Sequence, residues 1–280
     1  MKDLDLTTIV LSGGGVKAAA HLGAMRALRE AGVIPTRFLG TSMGAVMAAA
    51  LASGLSPEEV IARTRGIRRR DVARLSGAAI VQWVFAPALF QREPLQRTIA
   101  RLVPATRFDQ LQFPLTITAT DVDSGEEVIF GDGGEDAPLL DALYASCALP
   151  LWYPAIEING RTLVDGGLRG PLPLSAAIIF PARRVIAIDA GPGFDALPSA
   201  GRLAPPAFIR AHSNASRILM ANATELELDL WRLSPDRPPL IYVRPVVERT
   251  STFSAEDVDR YDKAGYDATR KVLSAKPIHG

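Results

Sequence analysis

The hydrophobic pattern along this chain switches repeatedly between a strand-like and a helix-like period. Thr7 to Leu11 is a short, β-branched run of the kind that forms a buried strand, and it feeds directly into Gly13-Gly14-Gly15. From about Lys17 to Ala31 the chain is rich in Ala and Leu at helical spacing and closes on Gly32. Arg37 to Gly40 reads as a second short strand that turns at Thr41-Ser42-Met43 into another Ala-rich helix, ending at Gly54. Strand, turn and helix repeated with short connections predict a layered α/β domain with parallel neighbours.

Further along, Ser56-Pro57-Glu58-Glu59 has the marks of a helix start: a capping serine, proline in the first turn, and acids at the positive end of the dipole. Asp71 to Leu102 reads as helical but irregular, with breaks at Pro87 and Pro94. Two hairpins are expected. One pairs Pro114–Asp121 with Glu126–Phe130 around Asp123-Ser124-Gly125; the other pairs Ala155–Ile158 with Thr162–Val164 around Asn159-Gly160. Val185–Asp189 and Leu240–Val243 read as strands, and Pro206–Trp231 and Ala255–Leu273 as helices. With no repeat, low-complexity tract or linker in view, residues 1–280 are expected to form a single domain.

Composition narrows the picture. At 280 residues and 48% hydrophobic content the chain can bury a substantial core, and 31 basic against 30 acidic residues give no global pull on nucleic acid. The single cysteine, Cys147, cannot pair within the chain, which fits a reducing compartment. The start, Met1-Lys2-Asp3-Leu4-Asp5, has no basic leader region. The longest nearly apolar run, Ala78 to Phe90, is broken by Gln82 and Pro87 and falls short of the roughly 20 residues a membrane span needs. A soluble, cytoplasmic protein is expected, at most peripheral at a membrane.

Gly40-Thr41-Ser42-Met43-Gly44 matches G-x-S-x-G between a strand and a helix. In that setting a sharp turn exposes the serine hydroxyl at a helix N-terminus, where the Met43 amide can donate to a developing oxyanion. Gly13-Gly14-Gly15-Val16-Lys17 offers bare amides that suit an oxyanion or a phosphate, although both the phosphate-loop and the dinucleotide spacings are absent. Beside an elbow serine, the glycine loop leans toward an oxyanion hole. His21, His212 and His279 are the only histidines, and none is well placed to serve Ser42 as a base. Asp165-Gly166-Gly167, after the apolar Thr162-Leu163-Val164, offers a carboxylate whose basicity burial would raise, and reads equally as a simple turn.

Taken together, these motifs resemble the patatin-like phospholipase family. In family order the chain has Gly13-Gly14-Gly15-Val16-Lys17, His21-Leu22-Gly23, Gly40-Thr41-Ser42-Met43-Gly44, Thr120-Asp121-Val122-Asp123-Ser124-Gly125-Glu126, Ala145-Ser146-Cys147-Ala148-Leu149-Pro150 and Asp165-Gly166-Gly167. His21 and Met43 look most like the bacterial branch related to neuropathy-target-esterase domains. The resemblance implies a three-layer αβα fold with a central, mostly parallel sheet and a nucleophile elbow. It implies Ser42 as nucleophile, Asp165 as its partner, Gly13, Gly14, Gly15 and Met43 as the oxyanion hole, and Lys17, Gly40, Gly44, Gly166 and Gly167 in supporting or substrate-binding roles. It calls for no metal or organic cofactor, and for a lipid ester substrate cleaved through an acyl-serine. Ala18, Leu151 and Gly170 depart from the pattern, the first two standing where glycine is common and the third where asparagine is.

Arg63, Arg65, Arg68, Arg69, Arg70 and Arg74 precede an apolar stretch containing Trp83, Phe85, Leu89 and Phe90. Such a pairing suits docking on an anionic lipid surface, and equally a solvated helix followed by a core helix. Cys147 reads as core, and Asp121 and Asp123 as turn residues rather than metal ligands. The competing functions are a silent patatin-like lipid-binding protein, an acyltransferase using the same dyad, and a phosphate-binding module.

Overall fold

Four of the five residues of strand β1 (Thr7–Leu11) are β-branched, and all five are buried, as in a strand covered on both faces. A computed structural model describes residues 6–77, 88–195, 206–247 and 257–275. After β1, a 3₁₀ turn (Gly15–Ala18) opens α1 (Ala19–Glu30). There follow β2 (Arg37–Thr41), α2 (Met43–Ala52), α3 (Pro57–Arg65), the single turn α4 (Arg69–Val72) and α5 (Arg92–Leu102). The hairpin β3 (Leu115–Asp121) and β4 (Glu127–Gly131) precedes α6 (Leu139–Cys147), and the hairpin β5 (Ile156–Ile158) and β6 (Arg161–Asp165) precedes the short α7 (Leu174–Ala177). The described chain closes with β7 (Arg184–Ile188), α8 (Ala207–Leu233), β8 (Leu240–Val243) and α9 (Val258–Ala275).

Strands β3, β2, β1, β7 and β8 lie side by side in parallel. Their alternate residues feed two cores: Ile9, Leu11 and Phe38 point to one that includes α1 and α2, while Val10 and Leu39 point to another with Leu174, Leu228 and Trp231 of α7 and α8. This is the expected αβα sandwich. On the first face α2 is apolar all round and buried from Gly44 to Ala52. There α1 and α9 touch backbone to backbone, since a Cβ on Gly23 would lie 1.8 Å from the Asp262 carbonyl and one on Gly265 1.8 Å from that of Ala20.

The local expectations meet the structure at several points. Ser56 caps α3 in a reciprocal capping box with Glu59. Asn159 and Gly160 take φ 52 and 75, the conformation that a two-residue hairpin turn requires. Pro94 corrects the expectation of a break: it lies in the first turn of α5, where no helical amide bond is lost. Among the described residues no helix is long and apolar enough to cross a membrane, and no group of three or more His, Cys, Asp or Glu side chains gathers to hold a metal.

The register of β3 sets the geometry of the site. Its residues Thr116 to Thr120 pair with β4 along one edge. Along the other, β2 pairs only as far as Thr41 opposite Thr118. From the next residue, Ala119, that edge is taken over by the antiparallel β6, beginning with Asp165. Two strands therefore meet end to end on one edge of β3, and Ser42 and Asp165 lie at the junction.

Candidate active site

The chain leaves β2 at Ser42 with φ 54 and ψ −134, a left-handed conformation that costs a non-glycine residue about 1–3 kcal/mol. Its neighbours must be small. A Cβ on Gly40 would lie 2.6 Å from Ala45 Cα, and one on Gly44 2.2 Å from the Ser12 carbonyl oxygen. The Ser42 amide donates to Ser146 Oγ at 2.7 Å, so a fully buried hydroxyl from α6 ties down the strained turn. The motif around Ser146 gives it no role by itself, because only the tertiary fold brings α6 against the elbow.

Ser42 Oγ donates to Asp165 Oδ2 at 2.7 Å, and the Gly167 amide donates to Asp165 Oδ1 at 2.7 Å. Gly166 must be bare, because a Cβ there would lie 2.5 Å from the Thr118 carbonyl oxygen. Asp165 is 4% exposed. Burial pushes its pKa up to about 6, while the Ser42 hydroxyl and the Gly167 amide oppose the rise. A carboxylate with that pKa is ionised at neutral pH and still basic enough to accept a serine proton in a transition state.

The glycine loop lies beside the serine: a Cβ on Gly13 would stand 3.2 Å from Ser42 Cβ. Its three amides are not equivalent. Gly13, expected among the oxyanion donors, donates its amide to the Pro171 carbonyl at 2.8 Å. The amides of Gly14, Gly15 and Met43 meet no backbone acceptor among the described residues. His21 sits behind this loop, fully buried, with Nε2 2.9 Å from the Ser12 carbonyl and its pKa lowered to about 4 by burial. It is a packing histidine that stays neutral. Cys147 is buried beside Ser42 and Asp165, and burial holds its thiol protonated.

Behind the loop lies a charged brace that the sequence reading missed. Asp189, at the end of β7, is 1% exposed, accepts from the Gly191 amide at 2.8 Å and Tyr242 Oη at 2.8 Å, and forms an ion pair with Arg244 Nη1 at 2.9 Å. Arg244 also donates to the carbonyls of Asp189 (3.1 Å) and Gly191 (3.0 Å) and pairs with Asp195. The braced turn presses on the glycine loop, where a Cβ on Gly14 would lie 2.6 Å from the Ala190 carbonyl oxygen. Lys17 belongs here too. Its Nζ donates to the Gly191 carbonyl at 3.4 Å, and burial with the nearby Arg244 charge lowers its pKa to about 8.

In front of the dyad a cavity of about 120 Å³ is walled by Val16, Met47, Ile67, Val72, Leu95 and Leu149, with Ser42 and Asp165 among its lining residues. Arg68 also lines this cavity, while Arg63 donates to the Arg101 carbonyl and Arg65 pairs with Asp259. Phe90 corrects part of the expected docking segment: it is buried, with its ring stacked on Trp152. Trp83, Phe85 and His279 lie outside the described residues. Leu151, where glycine is common in the family, takes φ 72.

A family model for the patatin-like phospholipases matches residues 9–178. An uncharacterised NTE family protein of Mycobacterium bovis is 33% identical over 196 residues, which cover 68% of this chain and 52% of that protein. Patatin-like phospholipase domain-containing protein 6 of the mouse is 29% identical over 185 residues, covering 65% of this chain and 13% of that one. The chain thus spans about half the length of the first of these relatives and a small part of the second. Among solved structures, VipD from Legionella pneumophila superposes with a TM-score of 0.53 at 15% identity, covering 97% of this chain and 67% of that one, a likeness of fold. On the family match, the chain belongs to the patatin-like phospholipases.

Proposed function

We propose that this chain is a serine lipid acyl hydrolase that cleaves carboxylic esters of phospholipids, lysophospholipids or related lipids. The observation that carries the reading is the 2.7 Å hydrogen bond from Ser42 Oγ to the buried Asp165 carboxylate. Membership of a phospholipase family supports the lipid class.

In this reading Asp165 takes the Ser42 proton as Oγ bonds to the ester carbonyl carbon. The charge on the carbonyl oxygen is met by the amides of Gly14, Gly15 and Met43 and by the positive end of α2. Collapse breaks the bond to the leaving alcohol, which takes the proton from Asp165. Water then gives a proton to Asp165 and its oxygen to the acyl carbon, and Ser42 leaves with the proton restored. The apolar cavity holds the acyl chain near the carbonyl, and the glycines at 40, 44, 166 and 167 let the backbones close around it.

Fluorophosphonate labelling of wild type, Ser42→Ala and Asp165→Asn, with fatty-acid release from p-nitrophenyl esters and phospholipid vesicles, tests this. Labelling and release are expected in wild type, to vanish in Ser42→Ala and to fall sharply in Asp165→Asn. A folded wild type that neither labels nor turns over any ester would overturn the reading in favour of lipid binding without turnover.

A further inference from the structure

The cavity in front of the dyad is mostly apolar, yet two charged side chains line it. Among the described residues these are one cation, Arg68, and one acid, Asp165, which is 4% exposed. Asp165 is buried against Ser42 Oγ. Arg68 lines the same cavity but is itself exposed, so it stands where the cavity opens to solvent.

The main chain of Arg68 is fixed while its guanidinium is left unpaired. Its amide donates to Asp71 Oδ2 at 2.8 Å, and its carbonyl accepts from the Asp71 amide at 2.8 Å. The turn that follows is tied down twice more. Thr98 Oγ1 donates to the Asp71 carbonyl at 2.7 Å, and Tyr153 Oη to the Val72 carbonyl at 2.8 Å. The Asp71 carboxylate, the nearest acid in sequence, is engaged with the Arg68 amide and lies 4.0 Å from Arg101. Among the described residues no carboxylate pairs with the Arg68 guanidinium. Arg69 and Arg70 beside it are exposed cations as well.

The shape of the site decides which anion this cation can meet. Val16, Met47, Ile67, Val72, Leu95 and Leu149 suit an acyl chain, which leaves the alcohol side of the ester to the open end. A glycerolipid carries its phosphate on that side. A guanidinium offers parallel N–H donors that match two phosphate oxygens. The other anion of the reaction, the fatty-acid carboxylate, forms at Ser42 and not at the opening.

We propose, on the reading that this cavity holds the ester attacked by Ser42, that Arg68 binds the phosphate of the lipid and makes the site select phosphate-bearing lipids over neutral glycerides.

Phosphate binding is tested apart from turnover, by calorimetric titration of decyl phosphate and decanol as dissolved monomers, so that no lipid surface takes part. Wild type is expected to favour decyl phosphate, and Arg68→Gln to lower that preference about tenfold, with Arg68→Lys in between. Both variants should fold, because the capping bonds at Arg68 are made by its main chain. Arg70→Gln removes a neighbouring cation that does not line the cavity and is expected to keep the preference. A wild type without the preference would overturn the assignment. An equal loss in Arg70→Gln would overturn it too, in favour of a diffuse positive field. Decyl phosphate displaced by equal concentrations of inorganic phosphate would replace the lipid phosphate with the free ion. In turnover, the ratio of kcat/KM for decanoylglycerol phosphate over decanoylglycerol is expected to fall about tenfold in Arg68→Gln, and an unchanged ratio would overturn the selection. A preference for decyl phosphate in a protein that cleaves no ester would instead sink the hydrolase reading and leave Arg68 as a phosphate ligand.

Discussion

The two sides of the candidate site are held by different physics. Ser42 and Asp165 are placed by backbone register, one at the end of β2 and the other at the end of β6, on a common edge of β3. The glycine loop is backed instead by side-chain charge, through Asp189, Tyr242 and Arg244. Register is shared among many backbone bonds and resists the loss of any one. A charged hub concentrates its contacts in a few atoms, and removing one partner strands the other. The dyad side should therefore fail chemically when its side chains change, and the brace side should fail structurally first.

The largest expected effect is on the dyad. Asp165→Asn keeps the shape and removes the base, so kcat for p-nitrophenyl esters should fall by about 10²–10⁴-fold, with urea stability held or raised because a buried charge has gone. Next comes the hub. Arg244→Met leaves Asp189, 1% exposed, without its cation and should cost about 3–5 kcal/mol in urea unfolding, with much of it recovered in the Asp189→Leu and Arg244→Met double variant. A double variant no more stable than the single would remove the contrast between the two sides.

Acid gives a smaller and graded effect. With the Asp165 pKa near 6 and the ionised form required, kcat/KM should rise with pH and level off above about 6, losing roughly tenfold per unit below it. Stability should change with pH through His21 as well. Its folded pKa of about 4 lies below the ordinary 6.5, so its contribution is full above 6.5 and is lost as pH falls from there toward 4. His21→Gln should flatten that part of a melting-temperature profile. The smallest effect belongs to Lys17: a single 3.4 Å bond to Gly191 predicts that Lys17→Met changes stability by less than about 1.5 kcal/mol, and a large loss of kcat would give it a role on the reactive side of the loop.

What could be read in advance follows the same division. The Ser42 elbow, the Asn159-Gly160 turn and the Ser56 cap are local devices whose residues are adjacent in the chain, so sequence carries them whole. Asp165 was ambiguous by itself, since Asp-Gly-Gly also makes a turn, and only the company of the other motifs gave it a role. The hub was invisible because Asp189 and Arg244 are 55 residues apart and neither lies in a recognisable string. Gly13 makes a related point: whether an amide is free depends on what the fold brings to it, here the Pro171 carbonyl. Phe90 fits a docking stretch or a core helix on sequence alone, and the stacking of Trp152, from a distant segment, accounts for its burial.

The shared edge of β3 has a consequence for how such a domain can diverge. Ser42 and Asp165 are 123 residues apart in sequence, yet each reaches the junction from its own end of the same strand. Between them in sequence, outside that junction, hang α4 and α5, which carry Val72 and Leu95 into the cavity wall. Insertions or deletions in those excursions can reshape the cavity without moving Ser42 or Asp165. The distance between Ser42 and Asp165 and the cavity's contour are therefore separately inheritable, and one can drift while the other stays fixed.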